Sequence, residues 1–142
     1  MIYTDKTKKA LKLCFEAHKE QLDKSGLPYV FHPFHLAEQM QTEETTVVAL
    51  LHDVMEDTEY TADDLAEMGF GGEILNALSL LTHEDSVDYM DYVAKIKTNP
   101  IARAVKLADL KHNSDLTRLD VVDQKALERK EKYQKAIELL IG

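Results

Sequence analysis

The sequence predicts an all-α protein, a compact bundle of about eight helices, and three observations lead there. Only five glycines and three prolines interrupt 142 residues. Apolar residues recur at helical spacing along nearly the whole chain, and no stretch sustains the alternation of a half-buried strand. Short stop signals separate the periodic stretches, with no low-complexity linker and no internal repeat. The length suffices for a real hydrophobic core, so residues 1–142 are expected to form one domain.

The first helix is expected over residues 5–22. Thr4 or Asp5 can cap it, and Ala10, Leu13, Cys14, Ala17 and Gln21 form one stripe. Asp23-Lys24-Ser25-Gly26-Leu27-Pro28 stops it. Pro28 and Pro33 hold the next segment extended, and Pro33 suits the first position of a second helix over residues 33–40. The third helix should be the central one. Thr42 caps it, Glu43 and Glu44 suit its first turn, and Val47, Val48, Leu50 and Leu51 make it apolar on most sides. It is expected to carry His52 and Asp53 and to end near Thr58. A short fourth helix opens at Thr61 and ends near Met68, before the break at Gly69-Phe70-Gly71-Gly72. A fifth covers residues 73–81. A sixth, over 87–97, places Tyr89, Tyr92, Val93 and Ile96 on one side. Asn99 caps a seventh, with Pro100 in its first position; it is apolar from Ile101 to Ala108 and then carries Asp109. An eighth, over 122–140, is charged on its outer face.

Composition narrows the function. A formal net charge of −9 argues against a general nucleic-acid-binding surface. It also repels anionic small molecules at long range, so an anionic substrate would need a metal and local lysines to reverse the field inside a pocket. The first residues lack the apolar core of a signal peptide, and no apolar run approaches the ~18 residues of a membrane span. The one cysteine, Cys14, has no internal partner, which fits a reducing cytoplasm. It falls among Leu11, Leu13, Phe15 and Ala17 and reads as a small core residue.

Chemistry concentrates in Leu50-Leu51-His52-Asp53-Val54-Met55-Glu56-Asp57-Thr58. At helical spacing His52 lies over Glu56 and Asp53 over Asp57. One helix end thus gathers a histidine and three carboxylates beside a buried face. Close carboxylates repel, and burial adds a desolvation cost. A divalent cation offsets both. Asp109 is a second acid in an apolar helix, and His32, fixed between Phe31 and Pro33, is a second imidazole. Mixed histidine and carboxylate ligands suit Mn²⁺, Fe²⁺, Co²⁺ or Zn²⁺ more than Ca²⁺ or Mg²⁺. His18 and His112 are candidates to support the ligands or meet a substrate, and His83 reads as a surface residue.

Three motifs make the reading specific. They are Ala17-His18-x-x-Gln21-x-x-Lys24-Ser25-Gly26-x-Pro28-Tyr29-x-x-His32-Pro33, Leu50-Leu51-His52-Asp53-x-x-Glu56-Asp57-Thr58, and Val105-Lys106-Leu107-Ala108-Asp109-x-x-His112-Asn113. In this order they resemble the HD-type hydrolase domain of the RelA/SpoT homologue family, nearest to its stand-alone small alarmone hydrolases. The resemblance runs from about Ala10 to Leu119. It implies an all-α fold, one metal ion (usually manganese) held by His32, His52, Asp53 and Asp109, and a catalytic Glu56-Asp57 pair. The implied reaction removes the 3′-pyrophosphate of guanosine tetra- or pentaphosphate, giving GDP or GTP and pyrophosphate. It also implies substrate contacts from Lys24, Ser25 and Asn113, with Leu116 or Leu119 walling the base. Tyr29 and Lys106 are each left between a place at the pocket and an ordinary packed or solvated one. Asp23 departs from the family, which often has a basic residue there. The departure keeps another phosphorylated nucleotide, such as NADPH, open as substrate, with a non-catalytic nucleotide sensor as a further alternative. The sequence stops soon after the eighth helix, so no synthetase or regulatory part is expected. It does not fix the oligomeric state.

Overall fold

A computed structural model describes residues 1–142 as nine α-helices and one 3-10 turn. The helices are α1 Asp5–His18, α2 Phe31–Glu38, α3 Glu43–Leu51, α4 Val54–Asp57, α5 Ala62–Glu67, α6 Gly72–Leu81, α7 Tyr89–Lys97, α8 Pro100–Asn113 and α9 Gln124–Ile141. The turn is Leu116–Arg118.

The caps follow the residues that favour them. Thr4, Thr42 and Thr61 each close a reciprocal capping box with the residue three positions on. Asp88, Asn99 and Asp123 accept from the first free backbone N–H groups of α7, α8 and α9.

Helix α3 is the centre. Val47, Val48, Ala49, Leu50 and Leu51 have no exposed surface. The helix packs against α1, α2, α6 and α8, and α9 closes the far side against α7 and α8. Leu13, Leu36, Leu78, Ile96, Val105, Leu110 and Leu140 complete one continuous core. Cys14 is buried in it, and burial pushes its thiol up to about 12, the behaviour of an inert core residue.

The structure corrects three expected boundaries. Helix α1 stops at His18, four residues early, because residues 21–23 pair back on 27–29: Asp23 N–H donates to the Leu27 carbonyl and Tyr29 N–H to that of Gln21, both at 2.8 Å. Helix α2 begins at Phe31, not Pro33. A proline two residues inside a helix costs no hydrogen bond, since first-turn N–H groups have no partner within the helix. The long third helix is broken. The His52 ring takes the Ala49 carbonyl at 2.7 Å, Asp53 sits at φ −103°, ψ 0°, and a separate short α4 follows. That break raises the helix count above eight. Tyr92 is buried, its hydroxyl donating to the Leu81 carbonyl at 2.6 Å, as a core residue would. No helix is long and apolar enough to cross a membrane.

Candidate metal centre and nucleotide cavity

Three elements meet at one buried point. The first turn of α2 supplies His32, the end of α3 supplies His52, and the third turn of α8 supplies Asp109. All three are buried, and one ligating atom from each lies within 4.8 Å of the others. His32 Nε2 is 2.9 Å from Asp109 Oδ1. His52 Nε2 is 3.7 Å from the same oxygen and 2.9 Å from Asp53 Oδ2. Yet the angles give that nitrogen no hydrogen bond, although it is buried. An orphaned imidazole nitrogen facing two carboxylates is what a metal site looks like when seen from its ligands.

The surrounding hydrogen bonds favour the same reading. His52 Nδ1–H donates to the Ala49 carbonyl, which leaves Nε2 facing the cluster as the nitrogen that takes a proton or a metal ion. His32 Nδ1 lies 2.7 Å from His112 Nδ1, the two rings stacked at 5.0 Å. Burial, the Arg118 charge and the neighbouring His32 and His35 hold His112 down at about 4, so it is uncharged at neutral pH. Asp109 Oδ2 accepts from Lys106 Nζ at 3.0 Å and Oδ1 from Asn113 Nδ2 at 3.0 Å. Burial opposes the Asp109 charge, but Lys106 and the two histidines outweigh it and hold the carboxyl well below the usual range. Burial likewise opposes a charge on His52, and the Asp53 and Asp109 carboxylates outweigh it, so positive charge is favoured at this point.

Asp53 lies beside the buried triad rather than within it. It is half-buried, and its Oδ2 accepts from the Tyr29 hydroxyl. Glu56 and Asp57 are exposed on α4, and burial of what remains, together with the Asp53 charge, raises both carboxyls above their ordinary values. Lys106 therefore belongs to Asp109, an arrangement the sequence did not single out.

Beside the cluster opens a cavity of about 300 Å³. His32 and Tyr29 line it on the metal side, Lys24 and Ser25 on one wall, and Asn113, Leu116 and Leu119 on the other. Lys24, Ser25 and Asn113, expected as substrate contacts, thus border one space, and so do the two leucines expected to wall a base. Sequence reasoning missed Arg118, Arg129 and Tyr133, which also line it. They come from the 3-10 turn and from α9, and nothing short of the fold brings them to the motifs. Asp23 does not point a free charge into the cavity. Its Oδ1 accepts from Ser25 N–H, Ser25 Oγ–H and Leu27 N–H at 2.8 to 3.0 Å, and its Oδ2 lies 3.6 Å from Arg118 Nη2. Burial would raise its carboxyl, but these bonds and Arg118 take it below its ordinary value.

Comparison with known proteins finds similar chains and a similar fold. A guanosine-3′,5′-bis(diphosphate) 3′-pyrophosphohydrolase of Aquifex aeolicus is 30% identical over 94% of the chain, which spans 20% of that protein. A GTP pyrophosphokinase of Streptomyces antibioticus is 32% identical over 93% of the chain and 16% of its own length. Among solved structures, one described as a metazoan ortholog of SpoT that hydrolyzes ppGpp superposes with a TM-score of 0.78, at 23% identity, over 100% of this chain and 89% of that one. No family model matches. The chain spans at most about a fifth of the length of the curated relatives it matches. Fold and buried cluster define an HD-type helical domain. Within that class, the chain is similar over nearly its whole length to a domain-sized part of proteins named guanosine-3′,5′-bis(diphosphate) 3′-pyrophosphohydrolase and GTP pyrophosphokinase.

Proposed function

We propose that the chain is a metal-dependent pyrophosphohydrolase that removes the 3′-pyrophosphate of guanosine tetra- or pentaphosphate, giving GDP or GTP and pyrophosphate. The observation that carries the reading is the placement of the buried His32–His52–Asp109 cluster against a cavity into which Lys24 and Arg129 bring positive charge, beside the paired Arg118 and Asp23. In a chain of net charge −9, a cavity whose lining carries three cations against two carboxylates, Asp23 and Asp115, is locally positive, and that favours an anionic ligand. The Aquifex relative's name and the description of the metazoan structure supply the substrate class.

In this reading His32, His52, Asp53 and Asp109 hold one divalent cation. Two imidazoles with two carboxylates suit Mn²⁺, Fe²⁺, Co²⁺ or Zn²⁺ better than Ca²⁺ or Mg²⁺, and among these we assign Mn²⁺, the ion the family resemblance implies. Such a cation lowers the pKa of water and offsets charge on phosphate oxygens. His52 is set for this by its Nδ1–H bond to Ala49, and His32 by its contact with His112. Glu56 and Asp57, with raised carboxyl basicity, orient the attacking water and take its proton. Water attacks the phosphorus joined to the ribose 3′-oxygen, the P–O3′ bond breaks, and the 3′-oxygen leaves as a hydroxyl after taking up a proton. Asn113 is tied to Asp109 through one N–H, and its second amide proton is free for the ribose. Lys24 and Ser25 meet the phosphates or the base, and Leu116 and Leu119 wall the base. We take residues 1–142 as one hydrolase domain, working in the cytoplasm on a small molecule rather than on nucleic acid or a membrane.

A panel of phosphorylated nucleotides, including guanosine tetraphosphate and NADPH, decides the substrate. Clear preference for guanosine tetraphosphate is expected, lost in the Asp53→Ala, Asp109→Ala double variant. Undiminished hydrolysis in that variant contradicts the metal assignment, and preference for NADPH contradicts the substrate. Nucleotide binding without turnover, metal supplied, turns the protein into a sensor.

A further inference from the structure

Arg118 joins the two walls of the cavity. On one side, Nη2 lies 3.6 Å from Asp23 Oδ2, and Asp23 organises the 23–27 loop through three hydrogen bonds to its other oxygen. Gly26, at φ +81°, makes that tight loop possible. On the other side, Arg118 Nη1 donates to the His112 carbonyl at 3.0 Å and reaches Asn113 Oδ1 at 3.4 Å. Asn113 then donates to Asp109. A continuous chain of polar contacts therefore runs from the loop carrying Lys24 and Ser25, through one guanidinium, to Asn113 and the buried cluster. The guanidinium presents five donors in a rigid planar fork, wide enough to meet carboxylate, carbonyl and amide oxygen on different nitrogens, whereas the three donors of a lysine radiate from one atom. Asp109, which can only accept, takes the Asn113 amide nitrogen, and Arg118 meets the amide oxygen on the other side.

We propose that Arg118 and Asp23 form a latch that positions the two walls of the nucleotide cavity, so that the pair acts on substrate affinity and not on the chemical step. Arg118 is a positioning residue here. The departure at Asp23 acquires a role: the acid anchors the arginine that arrives from the opposite wall. The inference rests on the cavity taking the nucleotide, as proposed above.

The test uses R118Q, D23N and the double variant of the full chain. D23N keeps an oxygen for the Ser25 and Leu27 donors and removes only the charge that faces Arg118. With guanosine tetraphosphate and Mn²⁺, each single variant is expected to raise KM about fivefold, the scale of a partly exposed ion pair, and to leave kcat within about twofold. The double variant should be no worse than the worse single one, because both remove the same contact. Unchanged KM, additive effects, or a fall in kcat alone overturns the latch as a positioning device. Hydrogen exchange at the Ser25 and Leu27 amides of the nucleotide-free protein gives an independent reading. Exchange should quicken in R118Q, and unchanged exchange overturns the latch whatever the substrate. If the wild-type protein leaves guanosine tetraphosphate intact, the substrate assignment fails, and the exchange rates alone decide whether the latch exists.

Discussion

Asp109 gathers more of the site than any other side chain. One oxygen meets His32 and Asn113, the other meets Lys106, and the carboxylate is almost wholly buried. Removing one partner of a buried charge set leaves the rest uncompensated, at a cost of about 3–5 kcal/mol. Asp109→Ala should therefore lower stability by that amount in urea denaturation, and a variant of unchanged stability would mean that Lys106 finds solvent instead. Tyr29 makes a finer test. Its hydroxyl donates to Asp53, while its ring packs tilted between His18, at 5.1 Å, and His32, at 5.7 Å. Tyr29→Phe keeps the ring and loses the donor. By the usual weight of groups that orient metal ligands, divalent-cation affinity should fall about tenfold in calorimetric titration. Unchanged affinity would reduce Tyr29 to packing.

At the scale of elements, α3 and α8 carry the site because they are the most deeply held. Leu50 lies one turn before Asp53 and two residues before His52, and it has no exposed surface. Leu50→Ala should cost about 2–5 kcal/mol, visible as a lower melting temperature, and a loss under 1 kcal/mol would show that the core around α3 collapses onto the gap. The elements also show how far the sequence could be read. The caps at Thr42, Asn99 and Thr61, the burial of Val47 to Leu51 and the acid ending the apolar run of α8 are local patterns, and local patterns are legible. The break at His52 is not, because it depends on a ring reaching back to the Ala49 carbonyl. The early end of α1 is not, because residues 21–23 prefer partners at 27–29 over continuing the helix. His32, His52 and Asp109 were identifiable from residue type and motif spacing, and the fold brings them together. Arg118, Arg129 and Tyr133 reach the cavity only through the path of the chain after Asn113, which no spacing in the sequence encodes.

For the molecule as a whole, the cluster brings α2, α3 and α8 to one point, so a cation bound as proposed would act as a staple across the bundle. A ligand that binds only the folded state stabilises it, by about 2.7 kcal/mol at a hundred times its Kd. Saturating Mn²⁺ should accordingly raise the melting temperature of the wild-type protein and leave that of the Asp53→Ala, Asp109→Ala variant unmoved. An equal rise in both would place the ion elsewhere on this acidic chain. The most direct measurement is product analysis after incubating the purified protein with guanosine tetraphosphate and Mn²⁺, with and without chelator. Release of GDP and pyrophosphate that chelator abolishes is the predicted result. Intact substrate in the presence of metal, or release that chelator leaves untouched, would contradict the assignment of this cluster and cavity to alarmone hydrolysis.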